Sequence, residues 1–352
     1  MTKIQINRPY LIGFYELFAI LAGAIVLLLA YLNQLGFPLP CNDEARFYLP
    51  ALWWAEHQSL QPANINAPQG IFWVPDGFTL FIGSALALFG HSIEVARYTC
   101  EVTVALGVCL FALAFRKLSD SWLIGCLSTL LLVTPPLIFA ANMVRMEALI
   151  FTVLAICLLL HLHSYRVAAA TLLFGSMLIH PILAPTAFAY FAINFALYFY
   201  AKKMPVIRTL DWFLFMVVGL AFIVELIHIF QHWDLFKQHM NYQLERKRGV
   251  AVYIRFLRPQ GGIFLLCLLV VARFIYLDSL AKNLSINNHF LTVAIIGLSL
   301  IFTAVLGYEM SYNFFSVTVG PTIIFCIVAQ KLALEQTSTS NIKHQRCDIR
   351  LI

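Results

Sequence analysis

Charge is what this sequence has least of. Only 11% of its 352 residues are Asp, Glu, Lys or Arg, against 61% hydrophobic. A soluble globular domain carries roughly a quarter charged residues, so that class is excluded. Short strands of alternating hydrophobicity are also lacking, which excludes a transmembrane β-barrel. There is no long Gly/Ser linker, no low-complexity tract and no clear internal repeat. The eight cysteines have no metal-ligand spacing. Cys100, Cys109, Cys126, Cys157, Cys267 and Cys326 lie inside apolar stretches and read as small core residues, and only Cys41 falls in an expected external loop, so no disulfide framework is predicted. No basic run with interleaved aromatics is present, so nucleic acid is not an expected partner. The net charge of +6 fits contact with anionic lipid and a fixed orientation in a membrane.

What is present is a succession of apolar stretches of about 20 residues, each able to cross a bilayer as a helix. Backbone polar groups in lipid must be satisfied within the segment, so the fold class is all-α and polytopic. The first span is read at 11–35, retained and not cleaved as a signal peptide. Later spans are expected near 93–115, 121–141, 147–163, 167–180, 182–200, 209–230, 261–279, 289–306 and 313–333, about ten crossings in all. His180-Pro181 and Pro185 divide 167–200 into two short helices. Residues 38–92 read as a long loop, within which Pro75-Asp76-Gly77 breaks the apolar run 71–90. That run is taken as an interfacial or re-entrant helix. With this choice Arg116, Lys117, Arg166, Lys202, Lys203, Arg208, Lys282, Lys343, Arg346 and Arg350 share the side of Lys3 and Arg8, the cytoplasm by the positive-inside rule. The transmembrane domain is then 1–333. The tail 334–352 reads as polar and mobile on the cytoplasmic side.

This topology gathers the polar residues at the outer face, with Glu225 and Arg273 the main charges near mid-membrane. Asp43 and Glu44 open the string Asp43-Glu44-Ala45-Arg46 just after the first span. Carboxylates there can take a proton from a hydroxyl or hold a divalent cation, or simply begin a solvated loop. Arg145 and Glu147 stand at the mouth of a later span, where a helix start alone would favour an acid. Glu94, Arg97 and Glu101 share one helix face and are expected to form an ion-pair ladder holding the first loop. His180 marks an outer turn. His228 and His232 have one-face metal spacing, with Asp234 and His239 nearby, although an interfacial histidine pair is the simpler reading. Segment 231–260 carries Lys237, Arg246, Lys247, Arg248, Arg255 and Arg258 on the outer side, against the orientation rule. Either an anionic ligand or acidic headgroups would retain them. Tyr308 and Tyr312 flank an outer loop as well.

The ordered set resembles the GT-C superfamily of integral-membrane glycosyltransferases, in the bacterial branch of aminoarabinose-lipid A transferases and protein O-mannosyltransferases. The resemblance rests on Asp43-Glu44-Ala45-Arg46-Phe47-Tyr48 after the first span, Phe89-Gly90-His91-Ser92 before Ala96-Arg97, then Arg145-Met146-Glu147 and His180-Pro181. It covers residues 10–200, while 201–333 match in general character only. It implies a multi-pass protein of a bacterial cytoplasmic membrane, with both termini inside. The implied donor is a sugar on polyprenyl phosphate and the acceptor a glycolipid, glycan or protein hydroxyl. Asp43 is implied as catalytic base, with Glu44 and Glu147 as supporting acids or ligands of a divalent cation (Mg, Mn or Zn). Substrate contacts are expected from Arg46, Arg97, Arg145, His180, Arg246, Lys247, Arg248, Arg255, Tyr308 and Tyr312. The family's Lys-Pro-Pro-Leu-like stretch reads Val74-Pro75-Asp76-Gly77 here, without the lysine, and Glu147 stands where Asp is common. A transporter or flippase for a lipid-linked or anionic solute is the rival reading, and a non-catalytic scaffold a third.

Overall fold

The computed structural model describes residues 8–34, 42–60, 75–202, 204–247, 259–280, 289–306 and 314–348. Among them there is helix and no strand. The α-helices are α1 (Arg8–Gln34), α2 (Asn42–His57), α3 (Gly77–Phe89), α4 (Ile93–Ser119), α5 (Trp122–Leu132), α6 (Pro135–Asn142), α7 (Glu147–Leu162), α8 (Arg166–Gly175), α9 (Ala184–Tyr200), α10 (Thr209–Gln231), α11 (Trp233–Lys247), α12 (Pro259–Leu280), α13 (His289–Leu306) and α14 (Gly320–Asp348). The chain is a polytopic membrane protein. By length and composition, three described helices can cross a bilayer alone: α1, α4 and α10. α5 and α6 together make a fourth, bent by 59°. The bend follows from Pro135 and Pro136, which start a new helix and bar Thr134 from helical geometry.

α4 is the axis of the bundle and packs against α1, α3, α5, α6, α7 and α14. The face α1 turns to it carries Tyr15, Ala19, Ala22, Val26 and Ala30, all buried at helical spacing, while Phe14, Leu17, Leu21, Leu28 and Leu32 stay exposed. Small residues let backbones approach in lipid, where apolar attraction between helices is weak. The approach is close: the Tyr15 hydroxyl donates to the Ala112 carbonyl at 2.9 Å, and the Cys109 thiol to the Ala19 carbonyl at 3.3 Å. On the α7 side, Thr152 Oγ1 donates to the Thr103 carbonyl at 2.6 Å. Phe111 and Phe151 meet there with ring centroids 4.9 Å apart.

Two expectations change. Residues 38–92 are not simply loop: Asn42–His57 is a helix with Pro50 inside it, packed against α3. The expected mobile tail is helical as far as Asp348. α3 spans 13 residues, about 20 Å at helical rise, too short for a hydrocarbon core of about 30 Å. That suits the interfacial element anticipated for 71–90. α3 is closely seated. A Cβ on Gly83 would stand 2.7 Å from the Trp54 ring and 2.9 Å from the Ala51 carbonyl.

α4 and α7 approach closely at Gly107, since a Cβ there would meet Phe151 at 2.6 Å and Thr152 Oγ1 at 2.7 Å. We expect Gly107→Val to destabilise the protein by about 1–3 kcal/mol through overpacking, read as a lower Tm in detergent. An unchanged Tm would mean that the helices can part without cost.

Candidate active site

The acidic pair starts a helix. Asp43 and Glu44 lie in the first turn of α2, where free backbone N–H groups favour negative charge. Glu44 is only 2% exposed and Arg97, from the first turns of α4, only 4%. Arg97 Nε donates to Glu44 Oε1 at 2.9 Å, and Nη2 to Oε2 at 2.7 Å. The Val144 amide, between α6 and α7, donates to the same Oε1 at 3.2 Å. Three distant segments thus meet on one carboxylate. A charge-assisted, two-pronged contact of this kind is among the stronger hydrogen-bonded pairs.

Beside it, Arg145 grips Glu147, with Nη2 3.1 Å from Oε1 and Nε 3.3 Å from Oε2. Glu147 is 4% exposed and begins α7. The Cys100 thiol lies against the Arg145 backbone, which ties the pair to α4. Glu101 is buried one turn below Arg97, and neither of its carboxyl oxygens has a hydrogen-bond partner. The same holds for both amide atoms of Asn142, buried at the end of α6, which packs on α4. The interior near the ion pairs therefore holds hydrogen-bonding capacity that the protein does not use. The ladder expected from Glu94, Arg97 and Glu101 is not what forms. Arg97 turns to Glu44, because a buried bidentate contact outweighs an exposed pairing along one helix, worth only about 0.2–0.5 kcal/mol.

A second cluster ties α3 to α10. Asp76 Oδ2 lies 2.7 Å from His228 Nδ1, and the Asp76 amide donates to Glu225 Oε2 at 3.3 Å. Glu225 is thus engaged by the loop before α3 and does not stand alone at mid-membrane. His232 packs edge-on against His228 at 5.2 Å. The histidine spacing serves the link to Asp76, and the described residues contain no group of three or more His, Cys, Asp or Glu able to hold a metal ion. The His180-Pro181 turn borders this cluster. His180 is buried, its amide bonded to the Ser176 carbonyl. The neighbouring Leu178 carbonyl presses on Gly77, where a side chain would collide.

The structure therefore gathers Glu44, Arg97, Arg145 and Glu147, places His180 beside α3, and leaves Arg46 exposed on α2. The side chains of Asp43, Arg246 and Lys247, and all of Arg248, Arg255, Tyr308 and Tyr312, lie outside the described residues. Sequence reasoning missed the Asp76–His228 contact, for which no local signal exists. It also missed a buried polar network at the far end of α7. There Tyr190 Oη is 3.0 Å from His161 Nδ1, and His289 Nδ1 is 3.0 Å from His161 Nε2. Polar groups are not confined to one end of the bundle.

No protein-family model and no curated protein sequence matches the chain. A solved structure does: ArnT from Cupriavidus metallidurans bound to undecaprenyl phosphate, with a TM-score of 0.59 at 15% identity, over 89% of this chain and 60% of that one. The fold is GT-C-type. This chain spans 60% of the length of the ArnT chain it resembles.

Removing one partner from the buried pair strands the other. Arg97→Met is expected to cost about 3–5 kcal/mol, and Arg97→Met with Glu44→Met far less than the sum of the single changes. Thermal unfolding of the four proteins checks this. Additive losses would show that the two side chains act independently.

Proposed function

We propose that this protein is a membrane glycosyltransferase that moves a sugar from a polyprenyl-phosphate donor to a hydroxyl acceptor by inverting single displacement. The reading rests on one observation above the rest. In a GT-C-type fold, the first turn of α2 is clamped through Glu44 to Arg97 and to the Val144 amide. Asp43 is adjacent on that turn. In this proposal Asp43 is the base. It accepts the proton of the acceptor hydroxyl as the oxygen attacks the anomeric carbon. The bond from that carbon to the phosphate oxygen breaks, and polyprenyl phosphate leaves with its charge stabilised by cations. Arg46 and the basic residues Arg246, Lys247, Arg248 and Arg255 are the proposed source of that charge. His180, Tyr308 and Tyr312 complete the proposed contacts, at the outer face of a bacterial cytoplasmic membrane. The sugar is a hexose or pentose, and the acceptor a glycolipid, glycan or protein.

Glu44 and Glu147 take a different part from the one the resemblance implied. Both oxygens of each face an arginine. Carboxylates compensated in this way do not fit a divalent cation, which needs their negative charge. No step is routed through a metal, and both residues act by positioning the turn and the α7 entrance.

The rival reading, a transporter, draws on the broken α5–α6 pair and the buried His161 network. One assay separates the two. In vesicles, the protein is given polyprenyl-phosphate sugars and acceptor, and released polyprenyl phosphate is measured beside solute uptake. Release is expected from the parent, with a loss of about a hundredfold or more in Asp43→Asn at unchanged Tm. Full turnover in Asp43→Asn removes the base assignment. Uptake without release makes the protein a transporter.

A further inference from the structure

Two side chains of opposite charge point outward from the helical bundle. Glu16 is exposed on α1, and Arg273 is exposed on α12. Neither side chain has an ion-pair or hydrogen-bond partner among the described residues. Charged side chains within membrane helices are rare, and they almost always face the bundle interior or pair with one another. Glu16 and Arg273 do neither within one chain.

Both stand at the same end of the bundle. Tyr15, next to Glu16, donates to the Ala112 carbonyl at 2.9 Å, in the second half of α4. Phe274, next to Arg273, packs on Phe290 with ring centroids 5.8 Å apart. Phe290 follows His289, which feels the charge of Lys117 in the last turn of α4. Depth along the helices matches as well. Glu16 is eight residues from the start of α1 and Arg273 seven from the end of α12, about 12 Å and about 10 Å at helical rise. Within one chain α1 packs on α4, α5 and α6, whereas α12 packs on α13 and α14.

The faces that carry the two charges are suited to helix packing. On α12, Gly262, Leu266, Leu269, Arg273 and Tyr276 are all exposed, at alternating spacings of four and three. That is the period of a seam that meets another helix. On α1, Gly13, Leu17, Ile20 and Ala24 repeat the spacing beside Glu16, and all are exposed. A Cβ on Gly13 or on Gly262 would meet nothing within 4 Å. Each glycine leaves a gap that a neighbouring backbone can enter.

We propose that two copies of this chain associate in the membrane through these faces, α1 of one copy against α12 of the other, with Glu16 paired to Arg273. α1 begins and α12 ends at the shared end of the bundle, so the two helices meet antiparallel. Matching the charges in depth then lays one exposed seam along the other. An arginine can snorkel to headgroups on its own, but a short carboxylate gains nothing from an anionic surface. A second copy satisfies both charges together. The joined surfaces are unlike. Under a two-fold axis the pair forms twice, and without one the contact continues to a further copy.

Energy transfer between full-length chains carrying donor or acceptor fluorophores, in phosphatidylcholine vesicles at varied protein-to-lipid ratio, tests the proposal. The parent is expected to associate. Glu16→Arg and Arg273→Glu each set like charges against one another, and each alone should weaken association about tenfold or more. Mixed in equal amounts, the two variants carry complementary charges again and should regain parental association. Such recovery excludes misfolding as the cause of the single defects. A parent that stays monomeric, single variants that associate normally, or a mixture no better than its components overturns the proposal.

Discussion

The constraint on which the rest depends is that Arg97 and Glu44 can leave water only together. Either ion buried alone would cost several kcal/mol. Buried as a pair, with the Val144 amide on the same carboxylate, they hold three segments that no continuous apolar surface would bring into register. Helices in lipid slide past one another at little cost where both present only hydrocarbon. A bidentate arginine contact does not slide, because a shift of one residue breaks both hydrogen bonds at once. The direction in which α2 leaves α1, the height of α4 and the entrance of α7 are all referred to that one contact.

α3 is held from the other side by the same kind of logic. Asp76 meets His228 and Glu225 from α10, Gly77 lets its first turn come against the Leu178 carbonyl, and Gly83 lets it seat on Trp54. A short apolar helix at a membrane surface would otherwise find many equivalent positions. Here its N-terminus is fixed by polar contacts and its face by the absence of side chains. The link also crosses residue 200, as do the packing of α8 on α10 and of α9 on α13. The helices after residue 200 therefore help to fix α3, α8 and α9 in place.

What the sequence made legible was whatever is encoded locally. Apolar runs gave most of the helices to within a few residues, and His180-Pro181 coincides with the expected turn, whereas the bend at Pro135-Pro136 falls inside the run 121–141 that was read as one span. The ordered motifs anticipated that Glu44, Arg145 and Glu147 would converge. What it concealed was choice among distant partners. Arg97 has Glu94 and Glu101 at helical spacing, and nothing in the local pattern says that Glu44, 53 positions away, will take it. Asp76 and Glu225 are 149 positions apart. α2 was hidden for another reason. Its composition is mixed and Pro50 lies within it, so it shows neither a clean apolar period nor a propensity that separates it from loop.

The two ends of α7 carry opposite arrangements, and the difference bears on what each can do. At the Glu147 end, the described carboxylates of the ion pairs are matched by arginines, while Glu101 and Asn142 keep unused polar atoms nearby. Such a place is rigid in its charges and receptive in its hydrogen bonds, which suits recognition of a neutral, hydroxyl-rich group. At the His161 end, His161 is bonded to Tyr190 and His289, and Asn194 donates to the Tyr190 carbonyl, with Thr292 Oγ1 alone unused nearby among the described residues. Little capacity is left for a polar ligand among them. The surface there offers a groove lined mainly by apolar side chains of α8, α9 and α10. The two ends of the bundle thus differ in how far the chain completes its own buried polar groups.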